Sequence, residues 1–166
     1  MAETAHPIET TQSEQATTGA DLPVFFDQST CVRKGLCPIM TVQGQSQTPV
    51  ESHRLYYELH GTGKEKIVFI MGLNTSSFAW ESQVPHFAKN HSVLVFDNRG
   101  VGNSDTPSGP YNTFEMAQDV ITLLDYLGWG KGRELHVVGV SLGGMIAQGS
   151  SYFIRVYEQG LIGCYL

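Results

Sequence analysis

Gly139-Val140-Ser141-Leu142-Gly143 is the stretch of this chain whose residue types and spacing prescribe chemistry. A serine hydroxyl becomes a useful nucleophile when it stands exposed at the tip of a sharp turn. The G-x-S-x-G pattern has the right surroundings for such a turn. The nearly continuous apolar run Leu135-His136-Val137-Val138 precedes it, and Gly144-Met145-Ile146-Ala147-Gln148 follows with a helix-compatible start. A strand-to-helix junction here places Ser141 in strained backbone geometry. Side chains two residues before or after it would collide across the turn, so Gly139 and Gly143 are there for their missing Cβ atoms. The following helix aims its free N–H groups at the same spot. The implied chemistry is nucleophilic attack by the hydroxyl. The competing reading is a glycine-rich turn with a structural serine.

Three apolar runs must position that turn. Lys66-Ile67-Val68-Phe69-Ile70 and Val93-Leu94-Val95-Phe96 are unbroken, and residues 135–140 are nearly so. Continuous rather than alternating apolar runs predict strands buried on both faces, as in parallel sheets. Between the first two runs, Phe78, Trp80, Val84 and Phe87 recur at roughly helical spacing, and Pro85 predicts a short helix or two pieces. Between the second and third, Met116, Val120, Leu123, Leu124 and Leu127 form a stripe of helical period. Thr113 is the predicted N-cap, Glu115 sits in the first turn, and Gly128 is the predicted stop. Two earlier strands are predicted at Ile39-Met40-Thr41-Val42 and over residues 54–59. The alternation gives an α/β layered sheet with right-handed crossovers and one domain.

Other patterns fail. Gly100-Val101-Gly102-Asn103-Ser104-Asp105 ends in Asp where a dinucleotide fingerprint needs Gly. Gly63-Lys64-Glu65 lacks the upstream Gly and the Ser or Thr of a phosphate loop. Cys31 and Cys37 are spaced more widely than the usual zinc pair and have no second pair, so the expectation is no metal. The net charge of -6 argues against binding a phosphate backbone, so no nucleic-acid partner is expected. No run approaches the roughly 20 apolar residues of a membrane span. Residues 1–22 are rich in Thr, Gln, Glu and Ala and read as a disordered tail without a secretory signal. With an odd count of 3 cysteines, this predicts reduced thiols and a cytoplasmic setting.

The elbow and two further motifs resemble the α/β-hydrolase family of serine hydrolases. Phe69-Ile70-Met71-Gly72-Leu73-Asn74 is similar to that family's His-Gly loop after the third strand, with Met71 in place of His. Phe96-Asp97-Asn98-Arg99-Gly100-Val101-Gly102-Asn103-Ser104 resembles the D-x-R-G-x-G-x-S loop after the fourth. Trp80 and Gln83-Val84 also match in kind. The resemblance implies Ser141 as nucleophile, with the backbone N–H groups of Leu73 and Leu142 as the oxyanion hole. A backbone role accounts for Leu at both positions and tolerates the loss of His. Asp97 and Arg99 are read as braces. The implied substrate is a small ester-like acyl compound, without cofactor. Serine at the elbow disfavours the related epoxide hydrolases and dehalogenases, which use Asp there.

The expected partners of the serine are missing. In this fold the order is Ser, then Asp or Glu, then His. After Ser141 there is no His or Asp, and the only acid is Glu158. His6, His53, His60, His86, His91 and His136 all precede it. Gly149-Ser150-Ser151 reads as an interruption of the helix, residues 152–157 as a strand, and residues 160–166 as an apolar tail. The expectation is therefore an incomplete, mostly parallel α/β-hydrolase sheet with flanking helices. Residues 36–148 form its N-terminal part, residues 149–166 a divergent tail, and the later strands and lid are absent. Such a chain is expected to leave the strand before Ser141 with an open edge, and to be poorly stable. Its alternative role is a non-catalytic remnant or binding module.

Overall fold

The computed structural model describes residues 26–40, 51–130, 135–157 and 161–165, and side chains only up to Tyr152. The tail expected over residues 1–22, the strand residues Thr41 and Val42, His6 and Glu158 lie outside the described residues.

The strands are β1 (Cys31–Ile39), β2 (His53–His60), β3 (Lys66–Ile70), β4 (Ser92–Phe96), β5 (Leu135–Gly139) and β6 (Leu161–Tyr165). They form one sheet in the order β1-β2-β4-β3-β5-β6. The continuous apolar runs become the parallel centre: β3 pairs with β4 on one side and with β5 on the other. The two earlier strands are antiparallel to their neighbours, so the sheet is mixed. The first of them begins at Cys31, earlier than expected from Ile39. It is an edge strand, where Pro38 can pair with Arg54 without supplying an N–H on its free side.

A 3₁₀ turn at Ser77–Trp80 and helix α1 (Gln83–Phe87) divide the segment after β3 into two pieces. Pro85 falls in the first turn of α1, where its missing N–H has no intrahelical acceptor to lose. Helix α2 (Thr113–Tyr126) matches its predicted stripe, and Met116, Val120, Leu123 and Leu124 are buried. Its cap is Asn112 rather than Thr113: the Asn112 side chain accepts from the Glu115 N–H at 2.9 Å. Gly128 ends it at φ 70°, as expected of a left-handed stop. One core lies between the sheet and helices α2 and α3 (Leu142–Tyr157), built on Val68, Ile70, Leu94, Phe96 and Val137. The other face packs Ile67, Phe69, Val93 and Val95 against Phe26, Trp80 and Val84.

Three expectations for the C-terminal part are corrected. Helix α3 is not interrupted at Gly149-Ser150-Ser151; it runs from Leu142 to Tyr157. Gly149 is where it meets α2, since a Cβ there would lie 3.1 Å from that of Ala117. Ser150 returns its hydroxyl to the Ile146 carbonyl at 2.9 Å. Residues 152–157 are helical rather than a strand, because the helix already begun by the elbow outweighs their β-branched and aromatic composition. Finally, β5 is not left open. Residues 161–165, expected as tail, add to it as a parallel strand.

Buried charges tie the layers together. Arg99, from the loop after β4, holds Asp119 of α2 through two bonds, Nε to Oδ2 at 2.7 Å and Nη2 to Oδ1 at 2.6 Å. Arg99 Nη1 also donates to the Pro110 carbonyl at 2.9 Å. His53, at the start of β2, approaches the same Asp119 Oδ2 at 3.4 Å, with its Nδ1 2.9 Å from the Glu51 carbonyl. Burial lowers the pKa of the His53 imidazole. Hydrogen bonds to Asp119 and the Glu51 carbonyl, with the Asp119 charge, outweigh both burial and the Arg99 charge and leave it raised.

Two outcomes follow. Asp119→Ala leaves the Arg99 guanidinium buried and unpaired, and should lower the unfolding free energy by about 3–5 kcal/mol in urea melts. Because the folded-state pKa of His53 is raised, its contribution is full below its unfolded value and fades as pH rises through the folded one. Urea midpoints of the parent chain should therefore fall from pH 6 to pH 8, roughly the range spanning that shift, more steeply than those of His53→Gln.

Candidate active site

The end of β5 turns into α3 within two residues, Val140 and Ser141. Ser141 sits at φ 56°, a left-handed conformation that costs a non-glycine residue about 1–3 kcal/mol. The turn is closed by the Gly143 N–H on the Val140 carbonyl at 2.8 Å and the Gly144 N–H on the Ser141 carbonyl at 2.9 Å. The two glycines of the motif are required as the sequence implies. A Cβ on Gly139 would collide with the Gly143 carbonyl, and one on Gly143 with the Ile70 carbonyl. The Met71 carbonyl would be 2.7 Å from that same Gly143 Cβ. Ser141 is exposed as a result.

The loop after β3 lies against this turn. A Cβ on Gly72 would be 3.2 Å from the Ser141 Cβ and 3.7 Å from Ser141 Oγ. Leu73 follows directly and is 68% exposed. Leu142 is the first residue of α3, where helix geometry supplies no acceptor for its N–H. Ser141, Leu73, Leu142, Gly139 and Gly143 are thus brought to one place at the C-terminal edge of the parallel strands. The Ser141 residue is exposed there.

Asn98 supports the arrangement, and its role was not legible beforehand. Its Nδ2 donates to the Met71 carbonyl at 2.9 Å and ties the loop after β4 to the loop carrying Leu73. Asp97 accepts from the Ser77 N–H at 2.7 Å and the Asn103 N–H at 2.9 Å. Ser104 accepts from the Tyr56 N–H at 2.9 Å and donates to the Asp97 carbonyl at 2.6 Å. These groups hold loops.

The described histidines lie elsewhere. His53 is turned toward Asp119, and His60 stands 3.2 Å from Glu58. His91 and His136 approach Glu65 at 3.7 and 3.9 Å, beside the N-terminal ends of the strands. His86 is in the last turn of α1. Among the described residues, no imidazole or carboxylate hydrogen-bonds Ser141 Oγ.

Comparison with known proteins agrees with this geometry. Residues 66–148 match a family model described as the alpha/beta hydrolase fold. A relative from Azorhizobium caulinodans carrying the name carbamate hydrolase RutD is 36% identical over 92 residues, which are 55% of this chain and 33% of that protein. The 3-oxoadipate enol-lactonase 2 of Acinetobacter baylyi is 28% identical over 127 residues, covering 76% of this chain and 40% of the enzyme. The crystal structure of a hydrolase from Pseudomonas aeruginosa PA01 superposes with a TM-score of 0.59 at 28% identity, over 78% of this chain and 44% of that one. The chain spans 33% and 40% of the length of these two curated relatives. Among the described residues, no helix is long and apolar enough to cross a membrane.

Gly143→Ala forces a Cβ into the Ile70 and Met71 carbonyls. It should cost about 1–3 kcal/mol or more in chemical denaturation, whereas Gly128→Ala, where nothing lies within 4 Å, should cost only the strain of its φ of 70°.

Proposed function

The chain belongs to the α/β-hydrolase fold family, and we propose that Ser141 is the nucleophile of a serine hydrolase acting on small ester-like acyl compounds. One observation carries the reading: an exposed serine held at φ 56° between two glycines whose Cβ atoms the backbone excludes. That geometry is costly and has a use only if the hydroxyl must project from the sheet edge. Attack by Oγ on a carbonyl carbon would push charge onto the carbonyl oxygen, within reach of the Leu73 and Leu142 N–H groups. The elbow carries Ser rather than Asp, which favours an acyl intermediate. Lactone and carbamate carbonyls, named in two relatives, fall in the same class of electrophile.

Among the described residues, no imidazole or carboxylate meets Ser141 Oγ to serve as base or orienting acid. A second reading is favoured by that same fact: a module that keeps the fold and its elbow without turnover.

A fluorophosphonate probe separates them. The first reading expects slow covalent labelling at Ser141 that disappears in Ser141→Ala. The second expects no labelling of the folded chain at any probe concentration that spares a control serine.

A further inference from the structure

We propose that Cys31, Glu58 and His60 form a binding site for a zinc-class divalent metal ion. One donor atom from each lies within 4.8 Å of the others. The placement follows from strand geometry. Glu58 and His60 are two apart on β2, so both project from the same face. Cys31 is the cross-strand partner of His60, at a point where the register shifts before Arg33. All three side chains are therefore set by a hydrogen-bonded ladder rather than by loops.

The hydrogen bonds around them leave a place for a cation. Thr30 Oγ1 donates its one hydrogen to the Asp27 carbonyl at 2.9 Å. It must then accept from His60 Nδ1–H, 3.0 Å away. That fixes the ring so that its other nitrogen, Nε2, faces Glu58 Oε2 at 3.2 Å. Tyr56 Oη donates to the other carboxylate oxygen at 2.8 Å and fixes its direction. An imidazole lone pair and a carboxylate oxygen, both fully buried, need a positive centre between them. A proton serves in the metal-free protein. A divalent ion serves as well if a second anion balances it, and Cys31 supplies that as a thiolate.

The resulting charge is neutral: one divalent cation, one carboxylate, one thiolate and one neutral imidazole. Binding exchanges the proton shared between His60 Nε2 and Glu58 Oε2, and the thiol proton, for the metal. Sulfur, nitrogen and carboxylate oxygen together are a zinc donor set, and thiolate disfavours magnesium and calcium. Donors of a tetrahedral zinc ion lie roughly 3.3–3.8 Å apart, so closure needs about an ångström of movement. Cys31 is half-buried, which gives the ion a way in. Water completes the tetrahedron. His60 pairs with Val93 near the start of β4, at the opposite sheet edge from Ser141. The site stands or falls independently of the hydrolase reading.

The test is titration of the 166-residue chain with Zn2+ alone by calorimetry, and with Co2+ by absorption spectroscopy. One stoichiometric equivalent of Zn2+ and a thiolate-to-cobalt charge-transfer band are expected. Cys31→Ser should abolish the band and weaken binding at least about tenfold, while Cys37→Ser changes neither. Thr30→Val removes no ligand but frees the ring, and should weaken binding by about 10–100-fold. Circular dichroism checks that each variant folds. Absence of stoichiometric binding, or binding that survives both Cys31→Ser and Thr30→Val, overturns the proposal.

Discussion

The start of α3 approaches the end of β3 so closely that no Cβ fits between Gly143 and the Ile70 carbonyl. Much of the sheet edge is arranged around that approach. It sets the turn at Ser141 and brings Gly72 beside the Ser141 side chain. The Val140 N–H bonds to the Ile70 carbonyl at 3.2 Å, so the strand ends are joined where they diverge. Asn98 then fastens the Met71 carbonyl from the neighbouring loop. Backbone contact, rather than side-chain packing, therefore fixes the geometry of the elbow.

That contact holds only if the loops beneath it are rigid, and buried electrostatics provide the rigidity. Arg99 binds Asp119 with both arms of its guanidinium and reaches the Pro110 carbonyl, so one side chain joins the β4 loop, the segment before α2, and α2 itself. Asp97 collects two backbone N–H groups from opposite directions. Exposed pairs such as Arg54 with Asp105 do less, because water screens them. The charged residues of the D-x-R-G segment act as an internal brace beside a site whose own groups are mostly main chain.

The parallel centre and the elbow were legible because their causes are local. A strand buried on both faces must be apolar throughout, as residues 67–70 and 93–96 are, and a turn without room for Cβ must carry glycine. The C-terminal part was not legible, because its causes are not local. Tyr152-Phe153-Ile154-Arg155-Val156-Tyr157 has strand composition, yet it continues a helix that began at the elbow and packs on Ala117 through Gly149. Leu161–Tyr165 becomes a strand because β5 offers a free edge. Cys31 was weighed against Cys37, its neighbour in sequence. Its spatial neighbours, Glu58 and His60, come from a strand register that no short window of sequence contains.

The same register keeps the histidines of β2 and β5 away from the elbow. The histidines on β2 and β5 lie on regular strands, and a strand residue cannot leave its face or its ladder position. His53 and His60 are buried among acidic partners, and His136 pairs with Ile67 near the beginning of β5. A base that reaches Ser141 must come from a loop beyond a C-terminal strand end, as the family's chain order provides. In the proposed reading, main-chain donors stabilise charge only after Oγ has attacked, and they do nothing to remove its proton. The steric cost of the elbow and the removal of the hydroxyl proton are therefore separate matters: backbone contacts at Gly139 and Gly143 set the first, and no described side chain serves the second.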